Sequence, residues 1–340
     1  MAEAGGLTVA VTGPTGDIGR SLIPELERSP QIRRIVGMAR RPFDPAARGW
    51  QKTEYRQGDV LERESVDELV READVVVHLA FIIFGDKDET REVNLRGSRN
   101  VFQATVDAGA RRLVYTSSVA AYGFDKERPT ELTEDFEPRG TAQFYYSAQK
   151  AELEGLLREI VADSSTDAYV FRPCIVAGSD ALLLVEDVVR QFQLGGRVER
   201  LRGLFQRVPK LRPAIPDNGT PFQLVHHDDV ASALRAAVLG EGEPGVYNLA
   251  ADGTLTMADV ARELDWYRLP IPQAAVTGAA ELVGRLSFLP PGLAWVHALR
   301  VASIMKTDRA REKLGWTPRH DGQETLRQTV ECARANGLVV

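Results

Sequence analysis

Cysteine is almost missing from this chain: Cys174 and Cys332 are the only two in 340 residues. Their spacing makes neither a disulfide framework nor a metal knuckle, so a reduced, cytosolic setting is expected. Uninterrupted apolar runs of membrane-spanning length are also lacking, which excludes a membrane span. No leader is expected at the N-terminus, because a strand-like segment, Leu7–Thr12, begins almost at once. A basic excess is absent too. Lys and Arg number 42 against 48 Asp and Glu, a net charge of -6, which argues against a general nucleic-acid binder.

What is present is alternation. Short Val-rich runs at Leu7–Thr12, Ile35–Met38, Asp74–Ala80, Leu113–Ser117 and Tyr169–Phe171 are separated by helical patterns at Ser65–Glu72, Asn94–Ala108 and Phe144–Val161. Apolar runs without a polar face suit strands buried on both sides, and strand–helix alternation suits a parallel sheet. Further on come strands at Gln223–Val225 and Gly245–Leu249 and helices at Asp229–Leu239 and Met257–Leu264. Two stretches, Ala181–Asn218 and Leu269–Met305, interrupt the pattern. The division expected is a dinucleotide-binding domain over 1–180 with 219–252, and a substrate-binding part over 181–218 with 253–340.

Directly after the first strand stands Thr12-Gly13-Pro14-Thr15-Gly16-Asp17-Ile18-Gly19. Glycines at this spacing let the backbone turn tightly and approach a pyrophosphate. A helix starting at Ile18 points its positive end at that anion. Gly13, Gly16, Asp17, Ile18 and Gly19 are therefore expected to bind a dinucleotide. The second strand ends Met38-Ala39-Arg40-Arg41. An acidic residue there would bind the ribose hydroxyls of NAD and repel a 2′-phosphate. Ala39 with Arg40 and Arg41 favours NADP, with NAD left open and a pair of solvated loop arginines as the bland alternative.

Tyr146 and Lys150 lie four apart at the start of a helical stretch and so share a face. A phenol titrates near pH 10, and a nearby ammonium lowers it towards a useful range. Upstream, Tyr115-Thr116-Ser117-Ser118-Val119-Ala120-Ala121-Tyr122-Gly123 carries serines just past a strand's carboxyl end, where such sheets bind ligands. A serine hydroxyl there can donate to an oxygen that gains negative charge.

The G-x-x-G-x-x-G loop followed by Ser, Tyr and Lys resembles the extended short-chain dehydrogenase/reductase family, the NAD-dependent epimerases and dehydratases. The resemblance runs over nearly the whole chain and implies a doubly wound parallel α/β sheet, a Rossmann fold with a small discontinuous C-terminal substrate domain. It assigns catalysis to Ser118, Tyr146 and Lys150, and cofactor contact to Ser117, Tyr146 and Lys150. Asp59 and Val60 resemble the adenine contact, Leu79 and Ala80 the segment beneath the cofactor, Asn94 a cofactor-contacting asparagine, and Pro173 and Cys174 the nicotinamide lining. Val225-His226-His227-Asp228-Asp229-Val230 and Leu314-Gly315-Trp316-Thr317-Pro318 match the family's C-terminal landmarks. No metal is expected. Adjacent residues at a strand-to-helix junction should point apart, and Asp229 can cap the helix. Cys174 is read as lining rather than as a nucleophile, and His78 as packed.

The resemblance also bears on substrate. Dehydratases place an acidic pair beside the position of Ser118, where this chain has Ser117 and Val119. Nucleotide-sugar enzymes place a diphosphate-binding arginine where Phe222 stands, and an Arg-x-Gly-Asp run that Ala298–Asp308 lacks. The reading is an oxidoreductase interconverting a carbonyl and an alcohol on a small molecule other than a nucleotide sugar. A sugar-nucleotide epimerase and a catalytically silent cofactor-binding regulator are the alternatives, and a homodimer is left open. Phe81-Ile82-Ile83-Phe84 suggests an apolar wall, or else core packing. Arg190–Arg212, with seven basic residues and the one acid Glu199, suits an anionic group or a solvated insertion.

Overall fold

The computed structural model describes residues 6–339 except 84, 86, 126, 182–211, 286–296 and 299. Strands β1 (Leu7–Thr12), β2 (Ile32–Ala39), β3 (Thr53–Gln57), β4 (Val75–His78), β5 (Arg112–Thr116), β6 (Asp167–Pro173) and β7 (Gly245–Leu249) form one sheet. Its order is β3-β2-β1-β4-β5-β6-β7, and every pairing is parallel. The order reverses between β1 and β4, the switch point at which open α/β sheets hold ligands beyond the carboxyl ends of their strands.

Alternate residues of each central strand enter opposite cores. Val9, Val11, Val75, Val77, Val114, Tyr169 and Phe171 pack on one face, with Leu22, Ile23 and Leu26 of α1 (Asp17–Arg28). On the other, Ala10, Val76, Leu113, Tyr115 and Val170 meet α2 (Arg63–Val70), α3 (Ser98–Asp107) and α4 (Tyr145–Val161). Helix α5 (His227–Leu239) lies beside α1. Burying both faces is why these strands lack a polar alternation, and a fully buried side chain such as Leu22 or Phe102 contributes about 1.5–3 kcal/mol.

The expected strands and helices are present with ends displaced by a few residues. Between Glu92 and Gly97 the expected helix begins with a π turn. Leu269–Met305 departs from expectation: it continues strand Tyr267–Pro270, which pairs with Ala214–Asp217, and it carries a helix, Gln273–Arg285. Most of Ala181–Asn218, all of Arg190–Arg212 except Arg212, and Phe84 fall outside the described residues. No described helix is long and apolar enough to cross a membrane.

Candidate active site

The glycine loop joins β1 to α1 at the switch point. Gly13 has φ +72°, and a side chain there would meet the backbone of Ala80 at 3.0 Å. A Cβ on Gly19 would strike the Gly13 carbonyl at 2.5 Å. Both positions are therefore closed to anything but glycine, while Gly16 is exposed and caps α1 with ordinary φ. Asp17 pairs with Arg20 at 3.3 Å, and Ile18 packs on the core. From β4, the backbone N–H groups of Leu79 and Ala80 both donate to Thr12 Oγ1 at 3.3 Å, which ties the loop to the neighbouring strand. Thr12 Oγ1 lies 2.7 Å from His78 Nδ1, and His78 Nε2 lies 2.8 Å from Ser98 Oγ. Burial holds His78 down to about 3, with Lys150 adding to it, so the ring is neutral and packed.

At the end of β2, Arg40 and Arg41 are exposed and have no ion-pair partner among the described residues. Asp59 accepts from the Leu61 N–H at 3.0 Å, and Val60 packs in the core. A dinucleotide fits this edge: a loop narrowed by two obligatory glycines, the amino end of α1, and two exposed cations at the end of the neighbouring strand β2.

Ser118, Tyr146 and Lys150 converge, each less than a tenth exposed. The Ser118 hydroxyl stands beside the Tyr146 phenol and favours its ionised form, while Ser118 Oγ accepts from Ala120 N–H at 3.1 Å. Burial outweighs that influence and pushes Tyr146 up to about 12. The expected lowering by Lys150 is not seen here, because the ammonium is turned elsewhere. It donates to the Thr116 carbonyl at 2.8 Å and the Tyr115 hydroxyl at 3.4 Å, and it lies 3.8 Å from the centroid of the Phe81 ring. Burial lowers Lys150 to about 7, with Glu154 opposing.

The sequence reading passed over what holds this pair. Glu154, one helical turn beyond Lys150, is buried and takes Arg172 Nε at 2.9 Å and Nη2 at 2.5 Å. It also accepts from the Ser117 hydroxyl at 2.5 Å, so that hydroxyl faces Glu154. Asn94, fully buried, brackets Ile82 by accepting from its N–H (2.8 Å) and donating to its carbonyl (2.9 Å), and donates to Gln149 at 2.8 Å. It thereby fixes the segment after β4 against the catalytic helix. The i+4 spacing from Lys150 was the available signal for Glu154; nothing local marks its distant partner Arg172.

Pro173 ends β6, and Cys174 is buried with its thiol pushed well up by burial, which removes the nucleophile reading. Phe81 sits edge-on to Tyr146 at 5.7 Å. Phe124, Phe144, Tyr145 and Tyr146 form one cluster with Ala120, and Ile83 packs against it. The described part of the run after β4 thus packs against the cluster that holds Tyr146. Phe222 instead bonds Leu255 through the backbone, and its ring packs away in a separate cluster.

Two expectations at the first C-terminal landmark, Val225–Val230, need correction. His226, His227 and Asp228 do not point apart; their donor atoms lie within 4.8 Å of one another. The imidazole lone pairs are nonetheless in use. His226 Nδ1 accepts from the Asp228 N–H at 3.2 Å and His227 Nε2 from the Asp180 N–H at 3.1 Å. Nor does Asp229 cap α5. The helix starts two residues earlier with His226 as its cap, and the buried Asp229 carboxylate accepts from the Arg319 and His320 N–H groups at 3.0 and 3.1 Å. It pins the C-terminal segment rather than the helix end.

Comparisons with known proteins bear on the family and the fold. The profile described as the NAD dependent epimerase/dehydratase family matches residues 9–250. An uncharacterized protein of Sinorhizobium fredii, y4nG, is 26% identical, over 97% of this chain and 79% of its own. Sterol demethylase protein B of Methylococcus capsulatus is 29% identical, over 92% of this chain and 94% of its own. Among solved structures, UDP-glucose 4-epimerase of Thermotoga maritima superposes with TM-score 0.70 at 18% identity, over 97% of this chain and 99% of that one. A short-chain dehydrogenase/reductase superfamily protein of Agrobacterium tumefaciens with bound NAD gives 0.71 at 17%, over 97% and 98%. At those identities the structures speak for the fold alone. The family match, spanning the glycine loop, Ser118, Tyr146 and Lys150, decides the rest: this chain belongs to the NAD-dependent epimerase/dehydratase family.

Proposed function

We propose that this protein is an NADP-dependent oxidoreductase that interconverts a carbonyl and an alcohol on a largely apolar small molecule. The observation that carries the reading is the placing of Ser118 beside Tyr146, with Tyr146 packed among Phe81, Phe144 and Tyr145. A nucleotide sugar needs cationic anchors for its diphosphate, and Phe222 offers none. The relative named as a sterol demethylase component is consistent with a bulky apolar substrate.

The glycine loop and the α1 amino end would hold the pyrophosphate, Arg40 and Arg41 the 2′-phosphate, and Lys150 the nicotinamide ribose. When bound, the nicotinamide supplies or accepts the hydride. Tyr146, kept protonated by burial, gives its proton to the substrate oxygen as negative charge grows there. Ser118 donates to the same oxygen and orients it. Glu154 and Asn94 act at one remove, by fixing Lys150's helix and the Ile82 backbone. The aromatic wall keeps water from the reacting carbon.

The test is to incubate the protein and NADPH separately with a panel of apolar ketones and with UDP-glucose. Loss of NADPH absorbance with a ketone, and no rise in melting temperature with UDP-glucose, is the expected outcome. Conversion of UDP-glucose without net cofactor oxidation would replace this reading with epimerisation.

A further inference from the structure

Four N–H groups around the aromatic cluster have no acceptor among the described residues: Arg128 Nε and Nη1, His297 Nε2 and Arg300 Nε. Each is shielded from water, where an unmet donor is costly. The remaining Arg128 nitrogen, Nη2, donates to the Ala302 carbonyl at 3.4 Å and to Ser303 Oγ, which fixes the guanidinium in place. Burial lowers Arg128 to about 10, so it stays charged at neutral pH. His297 is 1% exposed. Arg300 Nη1 lies 3.4 Å from its Nδ1, and a guanidinium has only donors to offer. Nδ1 is therefore the acceptor, the ring proton sits on Nε2, and all four orphans are donors.

These groups border the site already described. Arg128 lies 5.5 Å from the centroid of the Phe124 ring, and Phe124 lies 5.8 Å from Phe144. Phe144 stacks on His297 at 6.4 Å and lies 5.9 Å from Tyr146. Val301 packs on the same cluster and, with Arg300, Gln273 and Thr277, lines a cavity of about 620 Å³. Two acids face the region: Asp125, felt by both Arg128 and His297, and Glu281 on the cavity wall. Both are exposed, whereas the orphaned N–H groups are buried.

We infer that Arg128, His297 and Arg300 form a receptor for an anionic oxygen group, a carboxylate, phosphate or sulfonate, carried by the apolar substrate. The inference rests on the proposed function, with the substrate carbonyl at Tyr146 and the substrate body on the aromatic cluster around it. The substrate's body lies along Phe124 and Phe144 towards Tyr146, with its charged end among the buried donors. Guanidinium and imidazole N–H groups held in low dielectric bind an oxyanion far better than a neutral group of the same shape. Arg128 and His297 lie outside both stretches where the diphosphate clamps are expected, at Phe222 and in Ala298–Asp308, and Arg300 falls within the second.

The experiment compares two fluorescent probes on the full-length protein in excess NADPH: anilinonaphthalene sulfonate, and phenylnaphthylamine, the same rings without the sulfonate. The sulfonate probe should bind at least about tenfold more tightly. Arg128→Gln should cut that preference to about twofold or less, while Arg128→Lys, which keeps the charge, should retain part of it. Should Arg128→Gln fail to fold, His297→Phe carries the test, since it keeps the stack on Phe144 and removes the Nε2–H together with the Nδ1 acceptor of Arg300. Equal affinities in the unmodified protein, no binding by either probe, or a preference untouched by both substitutions overturns the inference. A sulfonate preference in a protein that reduces no ketone leaves the receptor standing and removes the oxidoreductase reading. Ketone reduction with no sulfonate preference does the reverse.

Discussion

Two buried polar regions flank Tyr146, and they are finished differently. Beneath it, Glu154, Arg172, Ser117, Asn94 and Gln149 are buried and bonded to one another or to nearby backbone. Beside it, Arg128, His297 and Arg300 keep N–H groups without acceptors among the described residues. The first arrangement costs little because its donors and acceptors are matched, and it holds α4 and the segment after β4 in register. The second is costly in isolation and gains most when a ligand supplies the acceptors. A matched network is built to hold; an unmatched one is built to receive. Tyr146 stands between them.

The sharpest break is at that boundary. Tyr146→Phe removes the transferable proton but keeps the ring against Phe81 and Phe144, so turnover should fall by about 10²–10⁴-fold. NADPH affinity and the melting temperature should hold. Steady-state kinetics beside a cofactor titration checks both, and near-normal turnover would remove Tyr146 from the chemistry.

The next effect separates the two networks. Glu154→Ala leaves the Arg172 cation buried without its partner and should destabilise the fold by about 3–5 kcal/mol. Arg128→Gln loses bonds to Ser303 and Ala302 and the cation over the Phe124 ring, and should cost about 1–2 kcal/mol. Chemical denaturation followed by circular dichroism measures both. Equal losses would mean that both regions are structural and would erase the contrast drawn above.

The sheet was legible in the sequence because its central strands are continuous apolar runs, and the glycine loop because its spacing follows a strand and opens a helix. The edge strand β3 was not seen. Thr53-Glu54-Tyr55-Arg56-Gln57 buries only Thr53 and so has no apolar run to read. Ser118, Tyr146 and Lys150 were legible as a pattern. Arg172, eighteen residues from Glu154, and His297, stacked on Phe144, were not, since only the fold brings them near. Asp229 shows the same limit: a carboxylate near a helix start looks like a cap until a segment ninety residues away claims it.

A smaller effect tests the cofactor edge. Arg40→Ala should weaken NADPH binding by about 1.5–3 kcal/mol and leave NADH nearly unchanged, since only one of the two carries the extra phosphate. Isothermal titration with each cofactor decides it. Equal weakening of both would place Arg40 on the shared part of the dinucleotide.

The smallest effect on stability should come from Gly16. Its two companions in the loop differ in purpose: Gly13 needs a left-handed backbone, and a side chain on Gly19 would collide with the loop itself. Gly16 has φ -74°, and an added Cβ would meet only the Gly13 carbonyl, at 3.6 Å, an ordinary contact. The fold therefore does not require glycine there. Gly16→Ala should cost less than about 1 kcal/mol of stability, the scale of an imperfect helix cap. If the loop cradles a pyrophosphate, the new methyl group stands where that anion must approach, and NADPH affinity should drop by more than the stability loss explains. Unchanged affinity would show that the backbone at Gly16 stays clear of the cofactor, and the open character of this edge would then rest on Arg40 and Arg41 alone.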